Sequence, residues 1–140
     1  MTVWIVSCNI KHYDVVGAFN ELLRIDWKQS TKVEPGDIVY IYVGVPYQSI
    51  MFKCYVSKTN LPFSDIDDAR YVISGETYLN YGNYMELELV DKYAQGVLSL
   101  EKLRKHGLTG RIQGPRRAEG DVLRFLMSKD GGRLFCVGGL

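Results

Sequence analysis

The chain has 140 residues, of which 46% are apolar and 24% charged, with a formal net charge of +1. A chain of this length buries about two-thirds of its unfolded surface, so the balance describes one globular domain and excludes intrinsic disorder. A near-neutral total also excludes a protein that coats nucleic acid by charge alone, but the spread is uneven, with +1 over residues 1–60, −5 over 61–100 and +5 over 101–140, which leaves room for a local basic patch.

In chain order, residues 2–8 (TVWIVSC) are a short apolar and β-branched run that suits a central strand buried on both faces. Asp14 is placed to cap a helix over 15–24, in which Val15, Phe19, Leu22 and Leu23 recur at helical spacing. Residues 25–32 (IDWKQSTK) show no clean period, so Trp27 falls on a linking segment that ends at the Pro35-Gly36 turn. Residues 37–44 (DIVYIYVG) are the clearest strand, with Val39, Ile41 and Val43 on one side and Ile38, Tyr40 and Tyr42 on the other. A loop at 45–49 leads to a partner strand at 50–57, where Ile50, Phe52, Cys54 and Val56 alternate with Met51, Lys53 and Tyr55, and the two form a hairpin.

The stretch from 59 to about 82 is polar, acidic and turn-rich, a long excursion in which Tyr71-Val72-Ile73 has the makings of a short strand. Residues 84–90 alternate again, with Met85, Leu87 and Leu89 inward and Glu86 and Glu88 toward water. Ser99 caps a helix that carries Leu100 and Leu103 and stops at Gly107, and a second helix over 116–129 buries Val122, Leu123 and Leu126. Residues 133–140 (RLFCVGGL) read equally as a last strand or a mobile tail. With no repeat and no linker, the expected fold is α+β: a single domain over 1–132 built as a small, mixed, partly open β-barrel with a few helices.

Ten tyrosines in a 12% aromatic content support that β-rich expectation. The absence of a basic leader and of any apolar run near about 20 residues points to a cytoplasmic protein, neither secreted nor membrane-spanning. Cys8, Cys54 and Cys136 are odd in number and lack CxxC spacing, so neither a disulfide framework nor a structural zinc site is expected, and no cofactor is implied. Asp65, Asp67 and Asp68 lack the spacing of a calcium loop and read as a solvated turn.

Enzyme signatures such as HExxH, GxSxG and Walker-type or GxGxxG loops are missing, which favours a binding protein over a catalyst. His12 with Asp14 is the one acid–base pair an enzyme reading would use. Tyr47, Tyr78 and Tyr81 are the rings a protein-interaction module would present. The more informative set lies at strand ends and beside turns: Ser7, Cys8 and Asn9, then residues 27–30, then residues 42–44. Aromatic faces beside a few amide and hydroxyl groups suit a flat ligand with polar edges, of which a nucleobase is one. Lys11, Lys28, Arg111, Arg116 and Arg117 would meet phosphates if they gather on that side, and Gly114-Pro115, just ahead of the last two, would begin a helix whose N-terminus favours anions.

These same residues carry a resemblance to the EVE domains of the PUA-like superfamily, relatives of the YTH and ASCH modules. The resemblance lies in Trp4-Ile5-Val6-Ser7-Cys8-Asn9, Tyr13-Asp14 leading a helix, Asp26-Trp27, and Pro35-Gly36-Asp37 before an aromatic strand, and it extends through about residue 57. Cys8, Ile10 and Lys11 depart from the pattern, in which Ala often precedes the Asn and Pro follows it. The resemblance implies a β-barrel with flanking helices and a pocket for a flipped, modified base of DNA or RNA. By position, Asn9 and Ser30 would contact the base edge or nearby backbone, Trp27 would form a wall, and Tyr42, Val43 and Gly44 would line the floor.

Overall fold

The computed structural model describes residues 1–29, 32–61 and 83–129. The elements are β1 (Val3–Cys8), α1 (Val15–Glu21), β2 (Arg24–Lys28), β3 (Ile38–Val43), β4 (Ser49–Leu61), β5 (Tyr84–Lys92), α2 (Leu100–Lys105), β6 (Arg116–Arg117) and α3 (Gly120–Met127). Among the described residues the strands form one sheet in the order β2-β5-β4-β3-β1-β6, in which only the β1–β3 pair is parallel. The expected barrel is therefore corrected, among the described residues, to an open six-stranded sheet whose edges are β2 and β6. Expectations for 71–73, the Asp65 to Asp68 cluster, Tyr78, Tyr81, Cys136 and the segment 133–140 fall outside the described residues.

Strand alternation sends apolar side chains to both faces, so the sheet carries two cores. Trp4, Val6, Cys8, Val39, Ile41, Val43, Phe52, Cys54, Val56, Met85 and Leu87 pack with Val15, Ala18 and Phe19 of α1. On the other face Ile5, Tyr40, Tyr42, Ile50 and Tyr93 pack with Leu103 of α2 and Val122 and Leu126 of α3. The expected facing of β3 holds residue by residue, as does that of Met85 and Leu87. Ile50 does not share a face with Phe52, because the register slips between Ile41 and Tyr42 and the bulge turns Ile50 to the opposite core.

Three segment expectations are corrected. The first helix ends at Glu21, with Leu22 extended at φ −119° and ψ 146°, so Leu23 turns outward and is 76% exposed. The presumed linker around Trp27 is instead strand β2, held antiparallel to β5, with Ile25 opposite Leu87 and Trp27 opposite Met85. The last helix starts at Gly120, and Arg116 and Arg117 form β6 beside Ile5 and Trp4. Ser99 does cap α2 as expected, accepting from the Lys102 N–H at 3.2 Å, and Gly107 ends it at φ +103°.

The start of the parallel pair is pinned by Asp37, a buried carboxylate that the sequence shows only as part of a turn. The Thr2 N–H donates to Oδ1 at 2.9 Å, and the Trp4 indole and the Glu34 N–H both donate to Oδ2 at 3.0 Å. Burial opposes the charge and is the largest single influence, but the three donors together outweigh it and hold the carboxyl below its ordinary range. This lock brings Val3 abreast of Ile38, and the register that follows carries Ser7 beside Tyr42 and Cys8 beside Val43.

Candidate nucleic-acid interface

The carboxyl ends of β1 and β3 open into a groove of about 380 Å³ lined by Ser7, Cys8, Asn9, Lys11, Tyr42, Gly44, Val45 and Ile112. The volume lies at the low end of the range of about 300–1,000 Å³ usual for small-molecule sites, enough for one heterocycle and little more. Ser7 and Tyr42 are register partners, so both side chains rise on the same face of the sheet. Ile112 arrives from the connection between α2 and β6, which is fastened to β1 where the Ser7 hydroxyl donates to the Gln113 carbonyl at 3.0 Å.

The hydrogen-bond sense of the two polar groups is fixed by their partners. A carbonyl can only accept, so the Ser7 hydroxyl gives its proton to Gln113 and turns lone pairs to the groove. The Asn9 Oδ1 accepts from the Lys11 N–H at 2.9 Å, which assigns the amide and leaves its NH2 as the donor. The Asn9 carbonyl also takes the N–H groups of His12 at 2.9 Å and Tyr13 at 3.2 Å, so a tight turn holds the residue in place. Ser7 thus offers the groove an acceptor and Asn9, two residues on, a donor.

The rest of the lining is less polar. Burial raises the Tyr42 hydroxyl above its ordinary pKa, an effect that the nearby Arg104 partly counters, so the phenol is neutral at physiological pH and can both donate and accept. Cys8 is a free thiol whose side chain is buried in the α1-side core, and burial pushes it up to about 12, so it is not a nucleophile. Val45 and Ile112 supply the remaining apolar surface.

Of the residues nominated from sequence, Ser7, Asn9, Lys11, Tyr42 and Gly44 come together here. Trp27 does not form a wall of this groove: alternation along β2 turns it into the core, where it is 6% exposed and meets Tyr13 edge-on at 5.4 Å. Val43 does not line the floor, because it follows Tyr42 on the strand and so faces the opposite core, fully buried. Ser30 lies outside the described residues. Lys28 sits on edge strand β2, away from the β1 and β3 ends.

Arg116 and Arg117 lie on β6 outside the groove lining, the first donating to the Thr109 carbonyl at 2.6 Å and the second lying over the Trp4 ring at 5.5 Å. Arg111 is exposed next to Ile112. Asp14 is committed to capping α1, accepting from the Gly17 N–H at 2.9 Å, and Tyr47 is half-buried against the α1-side core. Sequence reasoning missed Val45 and Ile112, and for Ile112 no local signal exists, since the loop that carries it is brought in by a bond between residues 7 and 113.

No protein-family model matches the chain, and no curated protein matches it. Its fold does match solved structures. An ASCH protein from Zymomonas mobilis aligns with a TM-score of 0.65 at 12% identity over 91% of this chain and 95% of that one. A hypothetical protein from Leishmania major aligns with a TM-score of 0.63 at 12% identity, over 96% and 97% of the two chains. A protein from Agrobacterium tumefaciens aligns with a TM-score of 0.62 at 9% identity, over 94% of each. The fold is accordingly similar to that of the ASCH protein, and none of these structures singles out the EVE branch expected from the opening strand.

Among the described residues no helix is long and apolar enough to cross a membrane, and no group of three or more His, Cys, Asp and Glu side chains is placed to hold a metal.

Proposed function

We propose that this protein binds RNA or DNA and seats one extruded base, carrying a modification, in the Ser7–Asn9–Tyr42–Gly44 groove without breaking bonds. The observation that carries the reading is that Ser7, whose hydroxyl donates to Gln113 and keeps lone pairs to accept, and Asn9, whose NH2 is left to donate, line one groove with Tyr42. Every nucleobase has a donor next to an acceptor on an edge, and the two protein groups match that pair. The likeness of the fold to an ASCH protein, together with the opening-strand resemblance to PUA-like domains that take flipped bases, supports the same reading.

Extruding a base costs a few kcal/mol in a duplex and less in a single strand. Two neutral hydrogen bonds at about 0.5–1.5 kcal/mol each, with aromatic contact at about 1–3 kcal/mol, offset it only modestly. Single strands are therefore the favoured substrate. A methyl substituent on the base packs against Val45 and Ile112 and adds about 0.8 kcal/mol, roughly a fourfold gain in affinity.

Binding without cleavage is supported by the commitment of Asp14 to its helix and by the unreactive Cys8 thiol. The test is a fluorescence titration of single-stranded oligonucleotides with and without a methylated base, followed by mass analysis of the recovered strands. Saturable binding at low salt, a several-fold preference for the methylated strand and intact oligonucleotide are expected. Equal affinity removes the modification from the account, shortened strands remove its non-catalytic part, and no binding at low salt removes the whole.

A further inference from the structure

We propose that the nucleic-acid backbone leaves the base groove over α2, where Arg104 and Lys105 meet its phosphates, and not over the Arg116-Arg117 pair; this rests on the base-binding reading above. The segment 44–48 forms the lip of the groove. Gly44 and Val45 line the groove itself, and Gln48, at the far end of the same turn, lines a second cavity of about 520 Å³ with Leu100, Glu101, Arg104 and Lys105. The Leu100 N–H donates to the Gln48 carbonyl at 3.0 Å and the Ile50 N–H to the Leu98 carbonyl at 2.9 Å, so the start of α2 is stitched to that turn. The two cavities are thereby neighbours across one short loop.

The orientation of α2 follows from its buried residue. Leu103 enters the same apolar cluster as Tyr42 and Ile112, which leaves Arg104 and Lys105 on the solvent side. Arg104 lies close enough to Tyr42 for its charge to act on the phenol at the groove floor. Lys105 pairs with Glu101 at 3.5 Å, but both side chains are at least 70% exposed. Such a pair contributes about 0–1 kcal/mol and yields to a phosphate.

The alternative pair lines neither cavity. Arg116 donates to the Thr109 carbonyl and Arg117 lies over the Trp4 face. Arg117 is also the register partner of Trp4 and Arg116 that of Ile5, so the stretches of β1 from these two to Ser7 span roughly 10 Å and roughly 7 Å at about 3.3 Å per residue. The cations that line the two cavities are instead Lys11 at the groove and Arg104 and Lys105 on α2.

The experiment measures affinity of the full chain for a labelled, mixed-sequence single-stranded RNA across a salt series. In R104A/K105A, two exposed side chains are shortened and the melting temperature stays near that of the parent. The slope of log K against log salt is expected to become shallower by about 1.4, with more than about tenfold weaker binding at low salt. R116Q/R117Q serves as the control and keeps the parent slope. An unchanged slope in R104A/K105A, with the parent protein still binding, overturns the proposed exit and leaves the base groove standing. Failure of the parent protein to bind overturns the base reading and the exit together.

Discussion

Replacing Asp37 by Asn is the most informative structural perturbation, because it alters one atom and disturbs the lock that sets the groove. The carboxylate takes three N–H donors, one on Oδ1 and two on Oδ2. An amide has a single oxygen. In its best orientation that oxygen keeps Trp4 and Glu34, and its NH2 group then faces the Thr2 N–H, donor against donor. One bond to a charged acceptor, worth about 1.5–3 kcal/mol, is lost, and two others fall to the neutral range of about 0.5–1.5 kcal/mol.

Relief of the burial penalty on the charge returns part of this, so the net expectation is a loss of about 2–4 kcal/mol, large against a total stability of about 5–15 kcal/mol. Urea unfolding followed by tryptophan fluorescence measures it, with Trp4 as a reporter on the site itself. The pH dependence has a definite sign. The folded pKa of Asp37 lies below its unfolded value, so its contribution is fully present above the unfolded pKa of about 4 and is lost as pH falls through the folded value. The parent should lose stability below about pH 4 more steeply than D37N. A loss under about 1 kcal/mol, or parallel acid profiles, would show that the three bonds do not hold the β1–β3 register.

Trp27→Phe is expected to cost about 1–3 kcal/mol, the scale of trimming a buried side chain, while the affinity for single-stranded RNA stays unchanged; a tenfold loss of affinity with little loss of stability would return Trp27 to the site. Cys8, with its thiol pushed up to about 12 and its surface buried, should resist iodoacetamide at pH 8 in the native protein and react once the chain is unfolded. Peptide mass mapping reads this directly, and rapid native alkylation of the Cys8 peptide would contradict the burial on which its inert role depends.

The sequence made the strand content of residues 37–44 readable because every second side chain there is apolar on both faces, and β3 is buried throughout. The same reasoning placed Ser7, Asn9, Tyr42 and Gly44 at strand ends, and a parallel register was enough to bring them together. It did not find β2, since Ile25 and Trp27 alternate with Asp26 and Lys28 over too few residues to separate from a loop until β5 pairs with them. Nor did it foresee the bulge at Tyr42, which moves Ile50 across the sheet, or the early stop of α1, which exposes Leu23.

The arginines were misplaced for a long-range reason. Gly114-Pro115 reads as a helix start, but Arg116 and Arg117 are captured by the free edge of β1, and pairing with a strand more than a hundred residues earlier leaves no local trace. Asp37 shows the opposite case, a residue visible as turn chemistry whose main role is to gather donors from Thr2, Trp4 and Glu34.

Asn9→Asp offers the sharpest test of the groove. The substitution keeps the oxygen that accepts the Lys11 N–H and so preserves the turn, yet it converts the groove's fixed donor into an acceptor with negative charge. Titrated side by side against one single-stranded RNA, N9D should melt like the parent and bind at least about tenfold more weakly, the cost of an unpaired or repelled edge. Undiminished affinity in a folded N9D protein would mean that no base edge is read there.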